Sequence, residues 1–508
     1  MSEQIVLKLA VPPERQERIL RHRLLRAADT RQSQQLVSIY YDDHKLRLHG
    51  NDVLLRLRKS DGTWLQTVKR QEASLAGLTR RTEWESVYGG HFDFSAIDDA
   101  ELRRRITRHK LMSRLAPIFE TSFRRVTWLL QPGADVAILV MLDRGWIAAG
   151  GRRAPISELE LELLSGESGD LYALAEQLAE NVTLTPELNS KAERGYRLFL
   201  NKASTPVRAG SLSLDAKASP LQSFRLIALD CLSHLQHNHE GAVSSDDPEY
   251  IHQMRVATRR LRAALRLFAP VVPQRLGDEL LPPLHELMGA LGRARDLQIL
   301  MGQIVAPVAA ALPDEPRLTD LAGIVAERLY QARREASRAL IQPGHGRLML
   351  LAGSLLNNEV FAVGGMAAAD SPSLPQFADR RLRRLQRRVL ALAAAARHDD
   401  PNSLHALRIA TKRLRYGLEF FGSLLPRRRV QASLALFATL QDDLGQLNDL
   451  ASAGATLMDC AAHDLHLREA VTLVGGWHGP RHAALIAGIP GLLHRLRRLR
   501  LPRLCAKG

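Results

Sequence analysis

His252-Gln253-Met254-Arg255-Val256-Ala257-Thr258-Arg259-Arg260-Leu261-Arg262 occurs twice in this chain, returning as His405-Ala406-Leu407-Arg408-Ile409-Ala410-Thr411-Lys412-Arg413-Leu414-Arg415. The offset of 153 also carries Asp246-Asp247-Pro248 onto Asp399-Asp400-Pro401, Pro273 onto Pro426, Gly292 onto Gly445 and Asp296 onto Asp449, with no gap. On a helix, His252, Arg255, Arg259 and Arg262 fall on one stripe, and so do His405, Arg408, Lys412 and Arg415. Like charges at these spacings cost a helix a few tenths of a kcal/mol each, roughly. Ala257, Leu261, Ala264, Leu265 and Phe268 form an apolar stripe on the other side, matched by Leu407, Leu414, Leu418 and Phe421. Each copy can therefore pack and still project cations. Guanidinium groups meet phosphate oxygens in bidentate fashion and keep their charge. A His among phosphates is expected to be protonated below about 6.5. Each His follows an Asp-Asp-Pro helix start at the same distance. Two copies of one helical unit, each with a cationic row, suit a repetitive polyanion.

Outward from this repeat, residues 219–505 are dominated by Leu, Ala and Arg with helical periodicity, which predicts an all-helical domain with an internal repeat, the halves near 219–300 and 376–455. Residues 300–375 are expected to add helices and a looser loop near Gly364-Gly365. Residues 202–218, rich in Ser, Ala, Pro and Gly, read as a linker. Before it, residues 1–201 read mainly as strands. Ile5-Val6-Leu7-Lys8-Leu9, Leu54-Leu55-Arg56-Leu57-Arg58, Trp64-Leu65-Gln66-Thr67-Val68-Lys69 and Ser157-Glu158-Leu159-Glu160-Leu161-Glu162-Leu163 alternate with period two. Helical stretches are expected near 13–28, 95–115 and 168–181. The polar positions of these strands are charged, and of both signs. Spacing leaves two readings open: a sheet exposed to water and laced with ion pairs, or a barrel with a polar lumen. Glu158, Glu160 and Glu162 share one face and need compensation. Arg56 and Arg58 share a face, and so, with an offset, do Gln66 and Lys69. Closed into a barrel, carboxylates on one wall could hold Mg²⁺ or Mn²⁺ and cations on another a phosphate chain.

The chain has 508 residues, enough for about two to four domains, with 45% hydrophobic and 24% charged residues. Its net charge of +16, from 70 Lys and Arg against 54 Asp and Glu, favours an anionic partner. Aromatic residues are only 5% and none interleaves with the cationic stripes, which argues against nucleic acid. Cys231, Cys460 and Cys505 have no metal-ligand spacing and read as reduced thiols. No apolar run is long enough for a membrane span, no signal peptide is evident, and a cytoplasmic protein is expected, with no protein partner deducible.

Residues 1–201 resemble the CYTH, or triphosphate tunnel metalloenzyme, family. The motifs are Tyr40-Tyr41-Asp42 with Leu46-Arg47-Leu48, the two Arg- and Lys-bearing strands above, Arg81-Thr82-Glu83-Trp84-Glu85, and Thr121-Ser122-Phe123-Arg124-Arg125 with Trp128. They continue with Leu142-Asp143-Arg144-Gly145, Ser157 to Leu163, and Ser190-Lys191-Ala192-Glu193-Arg194-Gly195-Tyr196. The resemblance implies an eight-stranded antiparallel tunnel that hydrolyses or rearranges triphosphate compounds with a divalent metal. It makes Glu158, Glu160 and Glu162 the metal-side carboxylates, and Arg56, Arg58, Lys69, Arg125, Lys191 and Arg194 the phosphate ligands. Lys8, Glu83, Glu85 and Asp143 complete the catalytic lumen. One departure stands out: the family's first strand carries Glu-x-Glu-x-Lys, and here Gln4 and Val6 precede Lys8.

The repeat resembles the CHAD, or conserved histidine α-helical, domain, through the two His/Arg helices, Leu291-Gly292-Arg293-Ala294-Arg295-Asp296 and Leu444-Gly445-Gln446-Leu447-Asn448-Asp449. That resemblance implies two pseudo-symmetric four-helix bundles with a basic cleft, binding to inorganic polyphosphate, and association with polyphosphate granules. The expected whole is an α+β multidomain protein: a polyphosphate binder with a metal-dependent inorganic triphosphatase-type tunnel acting on tripolyphosphate. A granule-associated binder without catalysis and a nucleic-acid binder are the alternatives.

Overall fold

The computed structural model describes residues 2–28, 30–60, 62–70, 77–180, 182–357, 372–397, 400–462 and 464–501. Gly364-Gly365, Asp399 and Cys505 lie outside them. The chain forms two compact units, Met1–Thr205 with Ile341–Glu359, and Pro206–Leu340 with Val360–Gly508.

In the first unit, β1 (Ser2–Ala10), β2 (Thr30–Asp42), β3 (Val53–Ser60), β4 (Thr63–Arg70), β5 (Leu78–Val87), β6 (Ala116–Gly133), β7 (Val136–Ala149) and β8 (Arg152–Ser165) pair antiparallel in the order β5-β4-β3-β2-β6-β7-β8-β1. Strand β5 pairs back onto β1, from Ser2↔Glu83 to Leu7↔Leu78, so the eight strands close. A two-residue strand, β9 (Thr185–Pro186), adds to β1.

Period two decides what faces where. Leu7, Leu9, Val140, Leu142, Leu159 and Leu161 point outward into a core shared with α5 (Ser168–Leu178). Val53, Leu55, Val68 and Trp84 point outward beneath α3 (Ala100–Ile106) and α4 (His109–Met112). With both outer faces covered, the alternate, charged residues face the lumen. Two short helices, α1 (Gln16–Leu20) and α2 (Arg23–Arg26), follow β1. Helix α6 (Lys191–Phe199) sets Ala192 and Tyr196 against inward residues Tyr40, Phe119 and Phe123.

Helix α12 (Pro343–Leu356) belongs to this strand-bearing unit, although composition places residues 219–505 in one helical domain. The reason is apolar burial: Leu350 is fully buried in the core around Tyr172, and Gly346 and Gly353 leave no room for a Cβ against the Leu184 carbonyl and the Tyr172 ring.

The second unit holds α7 (Pro220–Ser244), α8 (Pro248–Phe268), α9 (Gln274–Ile299) and α11 (Pro316–Ile341), with a π-helical turn (Leu300–Val305) and α10 (Ala306–Ala311) between the last two. The second half is α13 (Leu374–Ala395), α14 (Pro401–Phe420), α15 (Arg427–Ala461) and α16 (Leu465–Arg497). Helices α8 and α14 start alike, with Asp247 and Asp400 as caps and Pro248 and Pro401 at the first turn. Ser219 and Ser373 each close a capping box on α7 and α13. Each half reaches beyond its duplicated stretch, to Ile341 and Arg497. From Pro206 on, the composition-defined linker is fastened to this unit: Asn238 bonds both the N–H and the carbonyl of Val207, and Ser423 accepts from Leu214 N at 2.9 Å.

Candidate functional sites

Two polar sites result, one inside the barrel and one among the helices. In the barrel, cross-strand register gathers acids that are distant in sequence. Asp143 on β7 stands opposite Glu158 on β8, and Glu160 stands opposite Lys8 on β1. Oxygens of Asp143, Glu158 and Glu160 all lie within 4.8 Å of one another, and all three residues are buried. Glu162 continues the same face, opposite Val6, outside that triad.

Cations compensate the triad. Arg125 grips Asp143 with Nε to Oδ1 and Nη2 to Oδ2, each at 2.7 Å, and reaches Glu160 Oε2 at 3.0 Å. Lys191 Nζ lies 2.7 Å from Asp143 Oδ2 and 3.1 Å from Glu160 Oε1, and also bonds Glu158. Arg194 approaches Glu158 at 3.6 Å. Burial opposes the charge on Lys191, but Asp143, Glu158 and Glu160 together outweigh it and raise its pKa.

On β3–β5, Glu83 accepts from Lys69 at 2.6 Å and from Arg56 at 3.1 Å. Burial, with Arg56 and Arg125 nearby, lowers the Arg58 pKa to about 10. The Nε atoms of Arg56 and Arg58 and the hydroxyls of Ser38 and Thr121 are buried without a hydrogen-bond partner among the described residues. Glu85 is exposed and accepts from Thr67 at 3.2 Å.

Two expectations need correction. The charges do not segregate onto separate walls: Glu83 sits among cations and Arg125 among carboxylates, because cross-strand neighbours of opposite sign are the stable arrangement. Gln66 does not share the face of Lys69. It points outward and accepts from Asp93 N at 2.9 Å. An odd spacing on an unbulged strand puts the two on opposite faces.

Sequence reasoning also passed over Asp42 as a site residue. This fully buried carboxylate accepts from the N–H groups of Asp43, Leu48 and His49 and from the Tyr196 hydroxyl at 3.2 Å. It thereby fixes α6, which carries Lys191 and Arg194. Its place in Tyr40-Tyr41-Asp42 was the available signal.

In the helical unit, a cleft of about 2160 Å³ is lined by His252, Arg255 and Arg259 of α8 and by Arg408, Lys412 and Arg415 of α14. The acids Asp296 and Asp449 also line it, and Arg255 reaches Asp296 at 3.6 Å. Crowded, half-buried cations repel one another. Burial, then Arg408 and Arg259, lowers the Lys412 pKa to about 7, and burial lowers those of Arg255, Arg295 and Arg408. The Nε atoms of Arg259 and Arg408 are buried without a partner among the described residues.

Two placements differ from the sequence reading. Arg262 is not among the cleft-lining residues and instead faces His285 at 3.5 Å. His405 is exposed and bonds Asn448 at 3.1 Å. His252 lines the cleft, and in the phosphate-free protein burial, with Arg295 beside it, lowers its pKa to about 4.

The CYTH domain family matches residues 2–196 and the CHAD domain family residues 226–458. The chain is 32% identical over 199 residues to an inorganic triphosphatase of Haemophilus influenzae, a match covering 39% of this chain and 55% of that protein. It therefore spans about half the length of that relative. An uncharacterized protein of Mycobacterium tuberculosis is 24% identical over 407 residues, covering 76% of this chain and 75% of that one. The crystal structure of the CHAD domain from the plant Ricinus communis superposes with a TM-score of 0.52 at 35% identity, covering 60% of this chain and 100% of that one. Among the described residues, no helix is long and apolar enough to cross a membrane. The closed strand unit and the duplicated helical unit thus have their counterparts in known proteins, and the chain belongs to the CYTH and CHAD domain families.

Proposed function

We propose that the barrel is a divalent-metal-dependent inorganic triphosphatase, cleaving tripolyphosphate to diphosphate and phosphate, and that the helical cleft holds inorganic polyphosphate. The observation that carries the first part is the pair of guanidinium Nε atoms of Arg56 and Arg58, buried without a partner among the described residues, in a lumen that also holds a carboxylate triad. A buried donor without an acceptor is costly, and phosphoryl oxygens supply acceptors of the matching charge.

In this reading Arg56, Arg58, Lys69, Arg125, Lys191 and Arg194 bind phosphoryl oxygens, and Glu83 orients Arg56 and Lys69. Even at a pKa of about 10, Arg58 stays charged at neutral pH. Asp143, Glu158 and Glu160 have the hard oxygen donors that suit Mg²⁺ or Mn²⁺, with Glu162 alongside. Such an ion, when bound, neutralises phosphate charge and orients the attacking water. Water forms the new bond to the terminal phosphorus as the bridging P–O bond breaks, the proton it loses ends on the phosphate products, and the lumen cations take up the charge developing on the departing diphosphate.

Phosphate release from tripolyphosphate under titration with Mg²⁺ or Mn²⁺ is the test, and Glu160→Gln is expected to abolish it. Gln4 and Val6 favour a second reading: a binder, on polyphosphate granules in the cytoplasm, whose tunnel turns over slowly or not at all. Restoring both carboxylates with Gln4→Glu and Val6→Glu then raises the rate. Against nucleic acid as the partner, long polyphosphate is expected to displace a labelled oligonucleotide at matched charge far better than the reverse.

A further inference from the structure

The three carboxylates that suit a divalent ion are already shared by one ammonium. Lys191 Nζ sits 2.7 Å from Asp143 Oδ2 and 3.1 Å from Glu160 Oε1 and bonds Glu158 Oε1. The lysine belongs to α6, not to the barrel wall. Its backbone is held: Ser190 caps the helix by accepting from Glu193 N at 3.1 Å, the Tyr196 hydroxyl bonds Asp42, and Gly195 lies against the Phe119 ring where a Cβ would approach to 2.2 Å. Only the flexible side chain is free to leave.

A Mg²⁺ or Mn²⁺ ion needs the same lone pairs at about 2.0–2.2 Å. An ammonium bonded to those oxygens would then stand roughly 3–4 Å from a divalent charge, and like charges that close repel strongly in a poorly solvated lumen. Strand β1 does not tip this balance toward the metal, since Gln4 and Val6 bring no carboxylate. Val6 is fully buried opposite Glu162.

We propose that Lys191 is an internal counter-cation that competes with the divalent metal for Asp143, Glu158 and Glu160, so that the metal enters only as the lysine leaves. This rests on the reading of the triad as the metal site. The displaced ammonium remains buried and in need of an anion, which phosphoryl oxygens of a triphosphate provide. Metal and triphosphate therefore assist each other's binding, and by linkage the assistance is mutual.

The test is Mn²⁺ binding to the full chain without phosphate, read from the electron paramagnetic resonance signal of free Mn²⁺. Lys191→Met is expected to bind Mn²⁺ about tenfold or more tightly than the natural protein, the equivalent of ~1.4 kcal/mol. Lys191→Arg, which keeps the charge, is expected to stay as weak as the natural protein. If the Met variant does not fold, Lys191→Gln keeps a hydrogen-bonding head without charge and serves the same comparison. Equal or weaker Mn²⁺ binding by the uncharged variant overturns the competition. Glu160→Gln in both backgrounds separates this failure from a deeper one. If it weakens Mn²⁺ binding, the triad is the metal site and the Lys191 comparison stands on its own. If it changes nothing, the triad reading fails and takes this inference with it.

Discussion

Phe268 and Phe421, equivalent residues of the two helical halves, meet with ring centroids 5.5 Å apart. Their companions Phe224 and Phe377 stand at the same 153-residue offset. Phe224 lies 5.7 Å from Phe268, Phe377 lies 6.4 Å from Phe421, and Phe377 also stacks on Phe268 at 5.1 Å. Four rings related by the duplication therefore form the seam between the halves, and the cationic stripes of α8 and α14 are held across the cleft by that seam. Phe421, fully buried, is expected to lose about 3–5 kcal/mol of unfolding free energy on replacement by Ala. Denaturant unfolding checks the loss, and polyphosphate affinity should fall with it even though no cleft cation has changed.

The cleft itself separates Arg259 from Arg262, three residues apart on one helix. Arg259 is among the lining residues, whereas Arg262 is not and faces His285, although the Nε atoms of both are buried without a partner among the described residues. Arg259→Gln is expected to weaken polyphosphate binding and to lower the salt dependence by roughly one counterion. Arg262→Gln is expected to leave both nearly unchanged. Titrations at several salt concentrations decide it, and equal losses from the two variants would contradict the orientation of this stripe.

Much of this was legible in the sequence, for identifiable reasons. The 153-residue repeat marked equivalent helices with equivalent caps, and period two marked β1, β3, β4 and β8. Periodicity says which face a residue occupies, not which strand lies beside it. Hence Glu158, Glu160 and Glu162 stood out as a row, while Asp143, brought beside Glu158 only by the β7–β8 register, could not be joined to them from spacing alone. The same limit hid the departure of Arg262 from its copy Arg415. Arg415 bonds Glu419 at 2.8 Å and Gln441 at 3.0 Å, whereas Arg266 stands at the position equivalent to Glu419. Helix α12 was beyond reach for a further reason: composition assigns a helix to its sequence neighbours, and only packing reveals that Leu350 belongs with Tyr172.

Asp143 is the hinge of the lumen's charge balance. It is fully buried and serves both Arg125 and Lys191. Asp143→Asn leaves two buried cations short of an anion, so a stability loss of about 3–5 kcal/mol is expected together with loss of triphosphate hydrolysis. Because the site offers anion replacement, added tripolyphosphate should raise the melting temperature of this variant by more than that of the natural protein. Thermal melts with and without the anion provide the check.

Helix α12 makes the strand unit depend on residues far along the chain. A fragment ending at Thr205 lacks Leu350 from the core around Tyr172 and uncovers that ring. Such a fragment is expected to be markedly less stable than the same unit in the full chain. A subtler version needs no truncation. A Cβ at Gly346 would come within 2.3 Å of the Leu184 carbonyl oxygen, a backbone atom that cannot swing aside. Gly346→Ala is therefore expected to cost about 1–3 kcal/mol as overpacking. Hydrogen exchange should report faster opening in β9 and α5, with the cleft of the helical unit unaffected.

Lys412 predicts how polyanion binding responds to pH. Burial and the neighbouring Arg408 and Arg259 depress its pKa to about 7 in the free protein, against an ordinary value of 10.5. The sign follows from the depressed base. Below pH 7 Lys412 already carries its proton and binding gains its full charge. Between about pH 7 and the ordinary lysine range the free side chain is mostly neutral, while the bound polyanion pulls the pKa back up, so binding takes up a proton. Affinity should thus be flat below pH 7 and fall by up to about tenfold per pH unit above it. Calorimetry at pH 8 in two buffers of different ionisation enthalpy measures the proton taken up. Lys412→Arg, charged throughout, should remove both the uptake and the slope, and a slope that survives this substitution would assign the proton to another group in the cleft.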